Sequence, residues 1–130
     1  MNELISTYFK NYKRFIEGKS QNDTIWAVEK IEHLVKESPM QGLEAVIQLI
    51  KESDDDETLS FIAAGPLENL LVFNGSKIVD RLTKIADNDE RIQLALSGVW
   101  LGENEDDFYR SWRALMKRYG FIGNNPKKGL

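Results

Sequence analysis

Cysteine is absent from the 130 residues, and histidine occurs once, at His33. The first absence excludes a disulfide framework and any thiolate chemistry. The second leaves a Ser-His-Asp system with His33 as its sole base, and a histidine–cysteine metal site with a single donor. His33 falls in the register of a solvent-facing or boundary position, where a structural or surface role is expected. No apolar run approaches the ~18 residues that a membrane span needs. Met1-Asn2-Glu3-Leu4-Ile5 lacks the basic and apolar regions of a secretory signal. The expected setting is therefore the cytoplasm, and a chain free of cysteine agrees with it.

Strand-like alternation bounded by hairpin turns is missing as well, so the expected fold class is all-α. Hydrophobic residues make up 42% and charged residues 29%, which suits one helical domain with a charged exterior. A net charge of −4 and an isoelectric point near 5.1 weaken any case for binding duplex nucleic acid through the whole surface. Charge is unevenly spread. Asp54, Asp55, Asp56 and Glu57 form one acidic run, and Glu103, Glu105, Asp106 and Asp107 form another. Beyond Phe108 the charge is wholly basic: Arg110, Arg113, Lys117, Arg118, Lys127 and Lys128. The plainest account of these runs is complementarity with helix dipoles.

What the chain does have is an internal echo at a step of 33 residues. At that step Asp23, Asp56 and Asp89 coincide, Gly42 lies over Gly75, Val46 over Val79 and Leu49 over Leu82. A fixed period of 20–50 residues marks a stacked repeat. Grouped by it, the helices after the first form hairpins over 23–53, 56–86 and 89–119. The expected architecture is a short HEAT/armadillo-like array of three hairpins with an extra N-terminal helix as end cap. A closed, irregular bundle is the alternative. One domain over 1–123 and a frayed tail over 124–130 complete the expected layout.

Apolar spacing and capping residues define the helices. Leu4, Ile5, Tyr8, Phe9, Tyr12, Phe15 and Ile16 make one face of the first, which Gly18 ends. Asp23 is expected to cap the second, with Trp26, Ala27, Ile31, Leu34 and Val35 inward. Ser38-Pro39 stops that helix and starts the next, with Gln41 placed for a capping box. The acidic run at 54–57 opens a fourth. Ala64-Gly65-Pro66 should break it into two short helices, because Pro66 lacks an amide hydrogen and restricts Gly65. Asn74-Gly75 reads as a turn, with Ser76 capping the helix beyond it. Later helices carry Ile92, Ala95, Leu96, Val99 and Trp100, then Phe108, Tyr109, Trp112, Leu115, Met116 and Tyr119.

Motifs for chemistry are weak. Gly75-Ser76-Lys77 has the wrong order for a phosphate loop and no strand before it. The aspartates at 54–56 lack EF-hand spacing. No catalytic residue, metal or cofactor is therefore expected. The formal sequons Asn22-Asp23-Thr24 and Asn74-Gly75-Ser76 read as capping turns. Trp26, Trp100 and Trp112 lie on or beside apolar faces, where packing is expected. Trp100, with Glu103, Glu105, Asp106 and Asp107, is the candidate partner-binding surface, since aromatic residues anchor interfaces and acidic loops steer basic partners.

Ala64-Gly65-Pro66-Leu67-Glu68-Asn69-Leu70-Leu71 and Ala95-Leu96-Ser97-Gly98-Val99-Trp100 together resemble a family of small bacterial helical proteins that carries a "domain of unknown function" label. Its members share A-G-P-L-E-x-L-L and L-S-G-V-W segments. The resemblance runs from about Trp26 to Trp100, and Gly65, Pro66, Leu67, Glu68 and Gly98 are its structural motif residues. Some relatives look like products of toxin loci, which implies an immunity protein blocking a basic toxin domain. The leading expectation is thus a non-catalytic protein-interaction module without cofactor or membrane partner. The alternatives are a helical-repeat enzyme acting on nucleic acid, as base glycosylases do, and a structural subunit that assembles with itself.

Overall fold

The computed structural model describes residues 2–101 and 107–121. Among the described residues every regular element is helical: α1 (Asn2–Ile16), α2 (Ile25–Glu37), α3 (Pro39–Glu52), α4 (Asp56–Ile62), α5 (Glu68–Ala86), α6 (Glu90–Ser97) and α7 (Asp107–Arg118). A wide π-helical turn over Ala63–Leu67 joins α4 to α5.

Local chemistry sets most of the boundaries. Gly18 takes φ of +68°, and Lys19 N–H returns to Arg14 O at 2.8 Å, closing the α1 C-terminus as glycine caps do. Gly120 ends α7 in the same way, with Phe121 N–H on Met116 O at 2.7 Å. Pro39 opens α3 at a position where the missing hydrogen costs nothing. Asp55 accepts Thr58 N–H at 2.7 Å to cap α4, and Asp89 accepts the amides of Arg91 and Ile92 to cap α6. Two expected caps are not made. Ser38 forms no side-chain cap, so there is no capping box, and α2 starts after Thr24 rather than Asp23. The Thr24 hydroxyl instead donates to Asn11 Oδ1 at 2.8 Å, tying α2 to α1.

Pro66 does not stop the helix, contrary to expectation. In an α-helix its ring would strike the carbonyl of residue 62. The π-helical turn takes one more residue, with Glu68 N–H on Ala63 O, and the helix continues while Ala63, Pro66 and Leu67 stay buried. Direction changes later, at Asn74 (φ −139°, ψ 23°), inside α5. The Asn74 carboxamide donates to Val35 O at 2.6 Å and Lys36 O at 3.0 Å.

The core lies where α2, α3, α5 and α6 meet, around Ile31, Leu49, Ile50, Leu71, Ile78 and Ile92. Arg91 reaches from α6 to the end of α3, donating to Ile50 O at 3.3 Å and Ser53 Oγ at 3.0 Å. Phe108 lies against Gly75 and Arg118 holds Asp87, so α7 runs beside the second half of α5 in the same direction. Trp112, Leu115 and Met116 are its buried face.

Three expected inward residues lie outside. Phe15 is 57% exposed and Ile16 60%, because the apolar stripe of α1 outlasts the helix that covers it. Trp26 is 42% exposed. The buried stripe of α2 is Ala27, Ile31, Leu34 and Val35, and Trp26 stands a quarter-turn off it.

Candidate functional site

Asn11 sits in the middle of the apolar stripe of α1, between Tyr8 and Phe15, and is only 6% exposed. A buried amide must be hydrogen-bonded. Its Oδ1 accepts from Thr24, its Nδ2 donates to Gln21 Oε1 at 3.2 Å, and Thr24 Oγ1 also reaches Gln21 O at 3.2 Å. These bonds fix how the chain turns from α1 into α2. They hold open a cleft of about 180 Å³, walled by Tyr8, Tyr12, Phe15, Gln21, Ile25 and Val28, with Phe61 of α4 opposite. The Tyr12 and Phe61 rings stand 4.4 Å apart at a tilt of 42°. The lining is mostly apolar and carries no charge.

Two carboxylates lie beside the cleft. Glu57, exposed, lies one turn before Phe61 on the same face of α4, whereas Asp55 caps that helix within reach of the Arg91 charge. Glu32 lies near Tyr8: burial first, then the Glu32 charge, pushes the Tyr8 hydroxyl far above the usual range, so it remains an O–H donor. On α1 the lining residues recur every three to four positions, which sends Lys10 and Lys13 to the other side. Arg14 is half-buried between the two faces, and Lys19 pairs with Glu17 at 3.3 Å. Another exposed apolar pair, Val72 and Phe73, lies on α5, but Lys36 Nζ already stands 5.0 Å from the Phe73 ring centre.

Of the residues singled out in the sequence, Trp100 is half-buried and Asp107 is exposed, 3.6 Å from Arg110. Glu103, Glu105 and Asp106 lie outside the described residues. The structure joins the two segments that carry the family resemblance. Glu68 Oε1 accepts Trp100 N–H at 3.0 Å, and a methyl group on Gly98 would lie 3.3 Å from Ala63 Cβ. Pro66 and Leu67 form the buried side of the π-helical turn, while Gly65 has open space around it. Glu68→Ala would leave the Trp100 amide unpaired at a cost of about 1–3 kcal/mol. Glu68→Gln, which keeps an acceptor, should recover most of that in a urea titration.

The sequence profile of a family of unknown function, DUF6869, matches residues 15–119. The chain belongs to DUF6869. No curated protein and no solved structure matches it. The DUF6869 match starts in the last turn of α1 and runs beyond Trp100 through α7. Most of the cleft wall therefore falls inside it: Phe15, Gln21, Ile25, Val28 and Phe61.

Elsewhere in this DUF6869 chain, titratable groups converge once more, at the end of α7. Arg118 bonds both carboxylate oxygens of Asp87 at 2.8 and 2.7 Å, and Tyr119 O–H donates to Asp87 at 2.8 Å. The Arg118 and then the Tyr119 hydrogen bonds hold the Asp87 carboxyl below the usual aspartate range. Burial, then the Asp87 bond, pushes the Tyr119 hydroxyl up to about 12. A depressed Asp87 stabilises α7 docking above the ordinary aspartate range, an effect lost as pH falls through its lowered value. A raised Tyr119 stabilises it up to pH about 10, an effect lost towards about 12. Amide protection over 110–118, taken relative to the intrinsic exchange rate at each pH, should thus be steady near neutrality and fall in acid, below pH about 4. Asp87→Asn should show fast exchange already at neutral pH. Among the described residues no group of three or more His, Asp or Glu side chains gathers where it would hold a metal ion, and no helix is long and apolar enough to cross a membrane.

Proposed function

We propose that this chain is a non-catalytic protein-interaction module that docks a basic protein partner, in the manner of an immunity protein that covers a basic toxin domain in bacteria. The observation that carries the reading is the uncharged aromatic cleft between α1, α2 and α4, open to solvent, with Glu57 one turn from Phe61 and Glu32 near Tyr8. Exposed aromatic rings in a concave setting are what interface anchors use, and one sign of charge around them selects the partner's charge. The scaffold is a short HEAT/armadillo-like array of three hairpins. Supporting it are the 33-residue echo, the bend at Asn74 and the parallel course of α7 beside the end of α5. A second acidic run, Glu103, Glu105, Asp106 and Asp107, follows Trp100 in the sequence. A cytoplasmic setting fits a chain without cysteine.

A nucleic-acid-acting enzyme is favoured less, because phosphates would meet Glu32 and Glu57 and because Arg110 and Arg118 are already paired with aspartates. Affinity purification from the native cell tests the reading. The expected result is a stoichiometric partner rich in Lys and Arg, bound more weakly as salt rises. The double variant Glu32→Lys, Glu57→Lys should lose it. Reversal of Glu103, Glu105 and Asp106 assigns the second run its share. An acidic partner, or binding unchanged by both reversals, would contradict the proposal.

A further inference from the structure

Resting on that reading, we infer that the cleft is an anchor pocket: it takes one phenylalanine- or leucine-sized side chain from a Lys/Arg-rich segment of the partner, beside which the Gln21 carboxamide donates to a backbone carbonyl. Volume decides the first part. Drug-sized ligands occupy sites of roughly 300–1,000 Å³, whereas a cavity of about 150 Å³ holds benzene. At about 180 Å³ the cleft suits a single phenyl or isobutyl group. Such a group alone binds weakly, so the remaining affinity has to come from contacts outside the cleft, where Glu57 lies one turn from Phe61 and Glu32 lies near Tyr8.

The wall supports the same occupant. Tyr12 and Phe61 present tilted rings on facing elements, Ile25 and Val28 close one side, and no lining residue carries a charge that a buried phenyl would desolvate. Polarity is confined to Asn11 and Gln21. Asn11 is committed to Thr24 and Gln21 through both ends of its amide. Gln21 accepts from Asn11 through Oε1, and among the described residues no acceptor takes its Nε2 hydrogens. A half-buried amide with spare donors at the edge of an apolar cleft recognises a carbonyl. The backbone of an inserted segment offers one next to every side chain.

A nuclear magnetic resonance titration with synthetic peptides Ac-Gly-Lys-Lys-X-Lys-Lys-Gly-NH2 tests this. With X as Phe or Leu, amide shifts are expected at Tyr12, Gln21, Val28 and Phe61, with binding at least about tenfold tighter than for X as Ala. Phe61→Ala, at a side chain already 38% exposed, should erase that preference. Ile25→Trp, which fills the cleft without removing a core group, should do the same. Gln21→Met should weaken the Phe peptide about fivefold. Equal binding of every X, with shifts confined to the neighbourhoods of Glu32 and Glu57, would overturn the anchor pocket and leave the basic-partner reading standing. A Phe peptide that binds the cleft equally well with Glu in place of Lys would sink the basic-partner reading while the apolar pocket stands. A complete lack of X-dependent shifts at the cleft would also overturn the pocket.

Discussion

Gly42→Val is expected to be among the most damaging single substitutions in this chain. A Cβ at Gly42 would lie 2.8 Å from Leu34 O and 2.9 Å from Val35 Cα. Both atoms are backbone of α2, so no side chain can rotate away. To admit a methyl group, α3 has to move off α2, and Leu43 and Val46 lose contact with it. Two effects compete in Gly42→Ala. Alanine in a helix interior gains up to about 1 kcal/mol over glycine, whereas overpacking costs about 1–3 kcal/mol. The backbone contact places the cost at the upper end, so Gly42→Ala should destabilise by about 1–2 kcal/mol. Gly42→Val adds two methyl groups and β-branching, and should lose about 3 kcal/mol or more. For a chain of this size that lowers the melting temperature by roughly 10 °C or more. A thermal melt followed by circular dichroism reads both. If Gly42→Ala melts higher than the parent, α2 and α3 do not cross this closely.

Asn74→Leu should cost nearly as much, for a different reason. In a continuous helix the carbonyl of Val35 would accept the amide of residue 39. Residue 39 is proline and has no hydrogen to give. Asn74, bent out of helical geometry, supplies the missing donor at 2.6 Å and serves Lys36 O as well. Leucine preserves the volume and removes both bonds, leaving two carbonyls at the end of α2 without this donor. The expected loss is about 2–4 kcal/mol, seen as a lower urea midpoint with an unchanged slope. Asn74→Asp should be worse, since a carboxylate would face two carbonyls at the negative end of a helix. Wild-type stability for either variant would mean that Pro39 leaves no unmet demand.

The same pair of residues shows what the sequence could and could not disclose. Ser38-Pro39 marked the α2–α3 boundary because proline's effect is local. Gly18, Gly120 and the aspartates before α4 and α6 were legible for the same reason. The consequence of Pro39 was not legible, because its partner lies 35 positions away. Pro66 misled in the opposite direction. Taken locally it ends a helix, but Ala63 and Leu67 on either side of it are buried, and a π-helical turn keeps both in the core. The 33-residue echo is likewise imperfect in detail: Asp56 and Asp89 coincide, yet the cap of α4 is Asp55.

The candidate site was less visible still. Tyr12 and Phe15 read as core because period alone does not say where a helix runs out of neighbours. Phe61 reaches Tyr12 across 49 positions, a pairing no spacing rule reveals. One signal was present. Asn11 breaks an otherwise apolar stripe, and a polar residue at such a position asks for a partner. Trp100 and the acidic residues after it drew attention by composition, whereas the described geometry at Trp100 is a backbone bond to Glu68.

The most direct test of the docking account compares two exposed side chains in one binding experiment. Phe61 lines the cleft, and Leu94, 49% exposed on α6, does not. Against the basic partner purified from the native cell, Phe61→Ala should weaken binding by about 30-fold, the loss expected of an interface anchor. Leu94→Ala should stay within about twofold, as for a peripheral contact. Equal losses at both positions, or no loss at Phe61, would contradict a partner seated in the cleft between α1, α2 and α4.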